Sequence, residues 1–185
     1  MGKLREVEPA VLVAGITYAG SVVPESAVNA LEDAFGPIEF MSDAFVFDMT
    51  DYYTAEMGEW LHKIFYCFKD LIDPIVLADI KLKTNEIELR YAGTDPEHPL
   101  RTLNIDPGYV TLSKLILAST KDYSHRIYIG KQIYAETTLR FEGGSFYAID
   151  TTYPDYQTPL VMEFLNRARE YLKGSRGTWK HLKKK

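Results

Sequence analysis

Residues 126–150, RIYIGKQIYAETTLRFEGGSFYAID, break into three short runs at Gly130 and at Gly143-Gly144, and they restrict the fold more than any other stretch. The runs are rich in Ile, Tyr, Thr and Phe, and the glycines supply the positive φ that tight hairpin turns need. An antiparallel meander is predicted, and its register follows from parity. On the middle run Ile133, Ala135, Thr137, Leu139 and Phe141 share one face, while Tyr134, Glu136, Thr138 and Arg140 share the other. A two-residue turn at Gly130-Lys131 would set Ile127 opposite Tyr134 and mix the faces. An odd loop, Gly130 to Gln132, sets Tyr128 opposite Tyr134 and Arg126 opposite Glu136, and keeps each face uniform. The expected product is an Arg126–Glu136 pair across a solvated sheet face. If Gly143-Gly144 is a two-residue turn, Glu136 faces Thr151, which carries TTYPDY to the same end of the sheet as STKDYSHR.

The rest of the chain alternates strand and helix patterns. PAVLVAGITYA reads as a buried strand over about residues 10–16. PESAVNALEDAFGP reads as a helix with Pro24 in its first turn, an apolar stripe of Ala27, Leu31, Ala34 and Phe35, and Gly36 then Pro37 as its stop. IEFMSDAFVFDMT is a second strand, bent or broken at Ser42-Asp43. LHKIFYCFKDLID is assigned to a strand on its aromatic density, although Leu61, Ile64, Phe65, Phe68, Leu71 and Ile72 also fit helical spacing. Asp73 as N-cap and Pro74 behind it open a helix to about Ala92 with Leu77, Ile80, Ile87 and Tyr91 on one face; a hairpin of IKLK with IELRY is the alternative. TDPEHP follows as a loop and RTLNI as a strand.

Strand, helix, strand, strand, helix, strand is the ferredoxin-like arrangement. The expected fold is therefore α+β: a ferredoxin-like βαββαβ core extended by a C-terminal antiparallel β-meander. TPLVMEFLNRAREYLKG adds a closing amphipathic helix with Leu160, Phe164, Leu165, Ala168, Tyr171 and Leu172 near one face and Gly174 as its stop. A single domain over residues 1–174 with a basic tail over 175–185 follows.

Charge is unevenly spread. Residues 163–185 carry a net +6 and residues 1–162 a net −11. A basic tail on an acidic body can meet nucleic acid through its phosphates, fold back on the acidic surface, or stay solvated. No run of eighteen apolar residues exists, and MGKLREVEPA is charged where a signal peptide needs an apolar centre, so no membrane partner and a cytoplasmic location are expected. Cys67 is the only cysteine, which excludes a disulfide framework and a thiolate metal cluster; KIFYCFKD around it suggests a buried thiol.

Several familiar chemistries leave no trace. There is no G-x-x-x-x-G-K-S/T, no G-x-G-x-x-G after a strand, no H-E-x-x-H and no G-x-S-x-G elbow, and TKDY is not N-K-x-D. EGGS reads as a hairpin turn. His62, His98 and His181 have no ligand spacing, so zinc is not expected.

What remains is a gathering of charge in apolar surroundings. In DPGY, Pro107 and Gly108 suit the central positions of a type II turn, with Asp106 at a strand end. Lys121, Asp122, His125 and Arg126 lie just before and into the first meander strand, and Asp150 and Asp155 end the meander. Lys and Arg supply charge-assisted donors for phosphate or carboxylate, carboxylates hold Mg²⁺ or orient water, and an imidazole titrates near neutrality. His125, Asp122 and Glu136 are the candidate catalytic groups, with His125 as proton shuttle. Lys114, Lys121, Arg126, Tyr134 and Asp155 are the candidate ligand-binding groups, and Asp106 and Asp150 the candidate metal ligands, Mg²⁺ being the cation that suits them. The competing reading of each is structural: turn hydrogen bonds, an ion pair, a polar network.

RTLNIDPGYVTLSKLILASTKDYSHRIYIGKQIYAETTL, with FVFDMTDYYTAEMG and IKLKTNEIE upstream and TYPDY downstream, resembles domain-of-unknown-function family 4416, small bacterial and archaeal proteins. The resemblance spans nearly the whole chain apart from the basic tail. Some members carry a GTP-binding label, and the resemblance implies that label alone; it transfers no catalytic residue. The functional expectation is a pocket for a phosphorylated or nucleotide-like small molecule, with metal-assisted hydrolysis or transfer as its chemistry. The alternative is a non-enzymatic module that binds RNA or protein through the sheet face and the basic tail.

Overall fold

The computed structural model describes residues 2–20, 23–92 and 101–182. The loop expected at TDPEHP, His98 and the last three lysines lie outside the described residues. Among those described, nine strands form one antiparallel sheet: β1 (Ala10–Ala19), β2 (Ile38–Met41), β3 (Phe45–Val46), β4 (Leu61–Ile72), β5 (Leu103–Val110), β6 (Lys114–Ser119), β7 (Ile127–Gly130), β8 (Ile133–Glu142) and β9 (Ser145–Ala148). The order is β2-β4-β1-β5-β6-β8-β7, with β3 beside β4 and β9 beside β8. Helices α1 (Glu25–Phe35) and α3 (Leu77–Leu89) follow β1 and β4, α2 (Thr54–Met57) is a single turn, and α4 (Pro159–Leu182) closes the chain. The fold is thus mixed α and β, and its first half is compatible with the ferredoxin-like core expected from the sequence.

The ambiguous LHKIFYCFKDLID segment is strand β4, paired along nearly its whole length with β1. The helical alternative fails because β4 is buried on both faces: Ile64, Tyr66 and Phe68 pack with α1 and α3, while Phe65 and Cys67 pack with α4. Alternate residues of β1 divide in the same way, Leu12, Ala14 and Ile16 to the α1/α3 layer and Val11 and Val13 to the α4 layer. Burial pushes the Cys67 thiol up to about 12, so it stays protonated. Asp73 accepts from Ile75 N–H at the head of a 3₁₀ turn that leads into α3, as a cap should.

Three expectations are corrected. DPGY is not a turn: Asp106, Pro107 and Gly108 lie inside β5, opposite Gly15, Ala14 and Val13 of β1. Proline is tolerated there because its missing N–H would point away from β1, on the side where Ile105 N–H already turns to the Glu88 side chain and not to a strand. Gly108 is required by close approach, since a Cβ would lie 2.4 Å from the Ile116 carbonyl oxygen. Gly108→Ala is therefore expected to cost about 1–3 kcal/mol of stability, measured as a lower denaturation midpoint with unchanged secondary structure.

Secondly, α4 does not stop at Gly174 but runs on to Leu182, and Arg176 pairs with Glu8, so part of the basic tail folds onto the acidic body. Thirdly, the two faces of β8 are not uniform. Leu115 faces Leu139 but Ile116 faces Thr137, a bulge at Thr138 that inverts the alternation. Ile133 and Ala135 consequently pack toward α3, whereas Leu139 and Phe141 join the α4 core. KLILAS, unassigned from the sequence, is β6, the strand that joins the two halves of the sheet.

Candidate functional site

Strand β6 pairs with β8 over its whole length but with β5 only at Gly108 to Val110. Residues 103–107 of β5 therefore separate from Ala118 and Ser119 at the end of β6, and the sheet opens. The opening is a cavity of about 820 Å³, within the range of small-molecule sites. Its walls come from β4, β5, β6, α3, the loop after β3 and the 3₁₀ turn Pro154–Gln157, where the expected YPDY corner lies.

The parting leaves the outer edge of Ile105 without a strand partner, and α3 supplies one. Lys81 Nζ donates to the Ile105 carbonyl at 2.8 Å, and Glu88 Oε1 accepts from Ile105 N–H at 2.8 Å. Lys81 and Glu88 lie 3.7 Å apart, and Arg101 bonds Glu88 and Glu56. Burial pushes the Glu88 carboxyl up, against the pull of Lys81 and this backbone bond.

Lys63 stands on the inward face of β4 between Leu61 and Phe65, and only 3% of its side chain is exposed. Its ammonium lies 2.7 Å from Asp155 and 3.6 Å from Asp106, over the rings of Phe47, Phe65 and Tyr156. Gly15 makes room for it: a Cβ there would sit 2.9–3.3 Å from Phe65, Lys63 and Tyr156. Two carboxylates that the sequence placed at separate corners thus share one buried cation. Burial pushes the Asp106 carboxyl up, but Lys63, Lys81, the Asn104 amide and Arg101 outweigh it and hold the group below the ordinary aspartate value.

Across the opening, the predicted register holds. Tyr128 faces Tyr134, through a Lys131-Gln132 turn with both φ positive and a bulge before Gly130 in place of the three-residue loop. Arg126 and Glu136 are paired at 3.2 Å. They are not on a wet face, however: their side chains are 2% and 4% exposed. The Arg126 guanidinium donates to Ser119 Oγ, the Lys121 carbonyl, Glu136 and the Tyr153 hydroxyl, and the Tyr123 ring covers it at 4.5 Å. Its Nε–H has no partner among the described residues. His125 Nε2 lies 2.6 Å from the second Glu136 oxygen. Tyr53, Tyr153 and Tyr156 also line the cavity, and burial raises each phenol above its ordinary value, so each keeps its proton. The Tyr156 hydroxyl is buried without a described partner.

The candidates separate accordingly. Asp106, Lys121, Arg126, Glu136 and Asp155 line the cavity; Lys114, Asp122, His125, Tyr134 and Asp150 do not. Lys114 sits at the far end of β6, Asp122 is exposed, Tyr134 packs against Tyr128, Asp150 lies in the exposed turn after β9, and His125 stands behind Glu136. Asp106 and Asp150 therefore do not meet as metal ligands. Among the described residues no three of His, Cys, Asp and Glu converge as a metal-binding group. Sequence reasoning missed Lys63, Lys81, Glu88, Arg101, Tyr52 and Tyr53, while the tyrosines of KDYSHR and TTYPDY are at the end of the sheet where it set them. A signal existed: Lys63 occupies an inward position of an otherwise apolar β4 face, and Lys81, Thr84 and Glu88 form a buried polar seam on α3 beside Leu77 and Ile80.

A family model described as Domain of unknown function (DUF4416) matches residues 8–171. No curated protein and no solved structure matches the chain.

Proposed function

We propose, for a chain that belongs to the DUF4416 family, that the opening between β5 and β6 binds a phosphorylated or nucleotide-like small molecule. One observation carries this reading. Lys63, Lys81, Arg101 and Arg126 are each paired with a carboxylate, whereas Lys121, exposed on the cavity wall, bonds the Tyr52 hydroxyl, lies over the Tyr52 ring and meets no carboxylate among the described residues. Among the described residues lining the cavity it is the cation without a carboxylate partner, and the unpartnered Arg126 Nε–H belongs to the same wall. An anionic group set there gains charge-assisted bonds without breaking an ion pair. Tyr52, Tyr53, Tyr123 and Tyr153 supply flat surfaces for a ring.

Hydrolysis or transfer would have to use Glu136, the candidate catalytic group that reaches the cavity, with His125 behind it. Both Glu136 oxygens are engaged, by Arg126 and His125, and Asp106 faces Lys63. A Mg²⁺ would accordingly arrive with the ligand's phosphate, as this ion commonly does, and not on a site built by the protein alone.

The test is a thermal-shift screen of nucleotides and phosphorylated metabolites with and without Mg²⁺, with phosphate release followed in the same wells. A ligand at one hundred times its Kd stabilises by about 2.7 kcal/mol. Lys121→Ala is expected to weaken a hit by about 1.5–3 kcal/mol, roughly ten- to 150-fold. A hit indifferent to Lys121 would move the anion elsewhere. The RNA- or protein-binding alternative loses part of its surface, since α1 and α3 cover one face of the core sheet and α4 the other. Truncation at Lys183 is expected to leave the ligand-induced shift unchanged; if the tail carries the binding, the shift disappears.

A further inference from the structure

Asp106 sits among Lys63, Lys81, Arg101, Asn104, Tyr53, Tyr153 and Tyr156, and 26% of its side chain is open to the cavity. Its Oδ2 takes the Asn104 amide at 3.0 Å and faces Lys63. No hydrogen bond from a described residue reaches Oδ1. An ionised carboxylate with a vacant oxygen, in the wall of a cavity, repels an anion and calls for a donor. The donor has to be neutral, because Lys63, Lys81 and Arg101 already balance Asp106, Asp155 and Glu88, and a ligand ammonium would add a charge with no counter-charge. The buried Tyr156 hydroxyl, protonated and without a described partner, offers a second polar contact for a group that both donates and accepts. Alcohol hydroxyls do both; ammonium and aromatic N–H groups do not.

From this we infer that the ligand is bipolar: vicinal sugar hydroxyls at Asp106 and Tyr156, and a phosphate at Lys121 and Arg126. The class is a ribosyl phosphate, free or as part of a nucleotide. This rests on the reading above that the cavity takes a phosphorylated small molecule, and it assigns which part of that molecule goes where.

Equilibrium binding of four probes tests it: AMP, 2′,3′-dideoxy-AMP, adenosine and ribose 5-phosphate. The expected result is that AMP and ribose 5-phosphate bind, that removing the two hydroxyls weakens AMP by about ten-fold or more, and that adenosine is weaker for want of the phosphate. In Asp106→Asn the preference for AMP over its dideoxy analogue collapses toward unity, whereas Lys121→Ala weakens both alike and keeps their ratio. Where Asp106→Asn does not fold, the AMP to dideoxy-AMP ratio on the parent protein decides alone. Equal binding of those two, both weakened by Lys121→Ala, overturns the hydroxyl assignment and leaves the phosphate reading standing. Binding of none of the phosphorylated probes overturns both.

Discussion

Lys63→Met is expected to lower stability by about 3–5 kcal/mol, a fall in Tm of roughly 6–20 °C for a chain of this length. Methionine fills much of the same volume, so packing against Phe47, Phe65 and Tyr156 survives. What is lost is the cation between Asp155 and Asp106, which leaves a buried carboxylate with no counter-charge at 2.7 Å. The pH dependence separates this cause from simple mispacking. In the parent protein Asp106 titrates below its ordinary value, so its contribution is present above the ordinary aspartate pKa and is lost as pH falls through the depressed one. Without Lys63 the strongest of these attractions is gone, so Asp106 takes up its proton at a higher pH than in the parent, and the variant gains relative to the parent as pH falls. Denaturant titrations at neutral pH and near about pH 4 should show the deficit narrowing in acid. A deficit independent of pH would mean that the ammonium is not what holds this corner.

Arg126→Ala is expected to be as damaging, again about 3–5 kcal/mol, because it strips Glu136 of its buried partner and leaves Ser119, the Lys121 carbonyl and Tyr153 without their shared donor. His125→Gln, at a side chain nearly a third exposed, should cost less than about 1 kcal/mol. The contrast matters for function. Four of the five guanidinium donors are held by the protein itself, so Arg126 builds the cavity wall before it touches a ligand. Loss of binding in Arg126→Ala would therefore report a collapsed wall, whereas Lys121→Ala leaves the wall standing. Chemical denaturation of the two variants side by side checks this; a loss below about 1 kcal/mol for Arg126→Ala would show that these bonds do not persist in solution.

Much of the architecture was legible in the chain. The Pro24 to Pro37 helix, the Asp73 cap, the meander and the Tyr128–Tyr134 register all follow from signals a few residues long. The register is the clearest instance, because a hairpin is set by its turn and by side-chain parity, and both are local. Parity also failed within ten residues, at Thr138, where a bulge dictated by the neighbouring β6 inverts the faces of β8. The type II turn failed for the same kind of reason: Pro-Gly satisfies a turn locally, but pairing with β1 on one side and the close approach of Ile116 on the other draw it into a strand.

The candidate site divides along the same line. Sequence alone gathered Lys121, Arg126 and Glu136 into one region, and it set the corners that carry Asp106 and Asp155 on the rim of the same site. It also nominated Lys114, Tyr134 and Asp150, which proximity along the chain made plausible and the sheet carries elsewhere. That β6 would follow β8 and leave β5, that Lys81 and Glu88 would cross from α3 to satisfy the exposed edge of Ile105, and that Lys63 would lie buried between two carboxylates were tertiary decisions. Each depends on which strand lies beside which across many tens of residues. Local chemistry sets the faces and the turns, and only long-range pairing decides where a sheet parts and which charges line the gap.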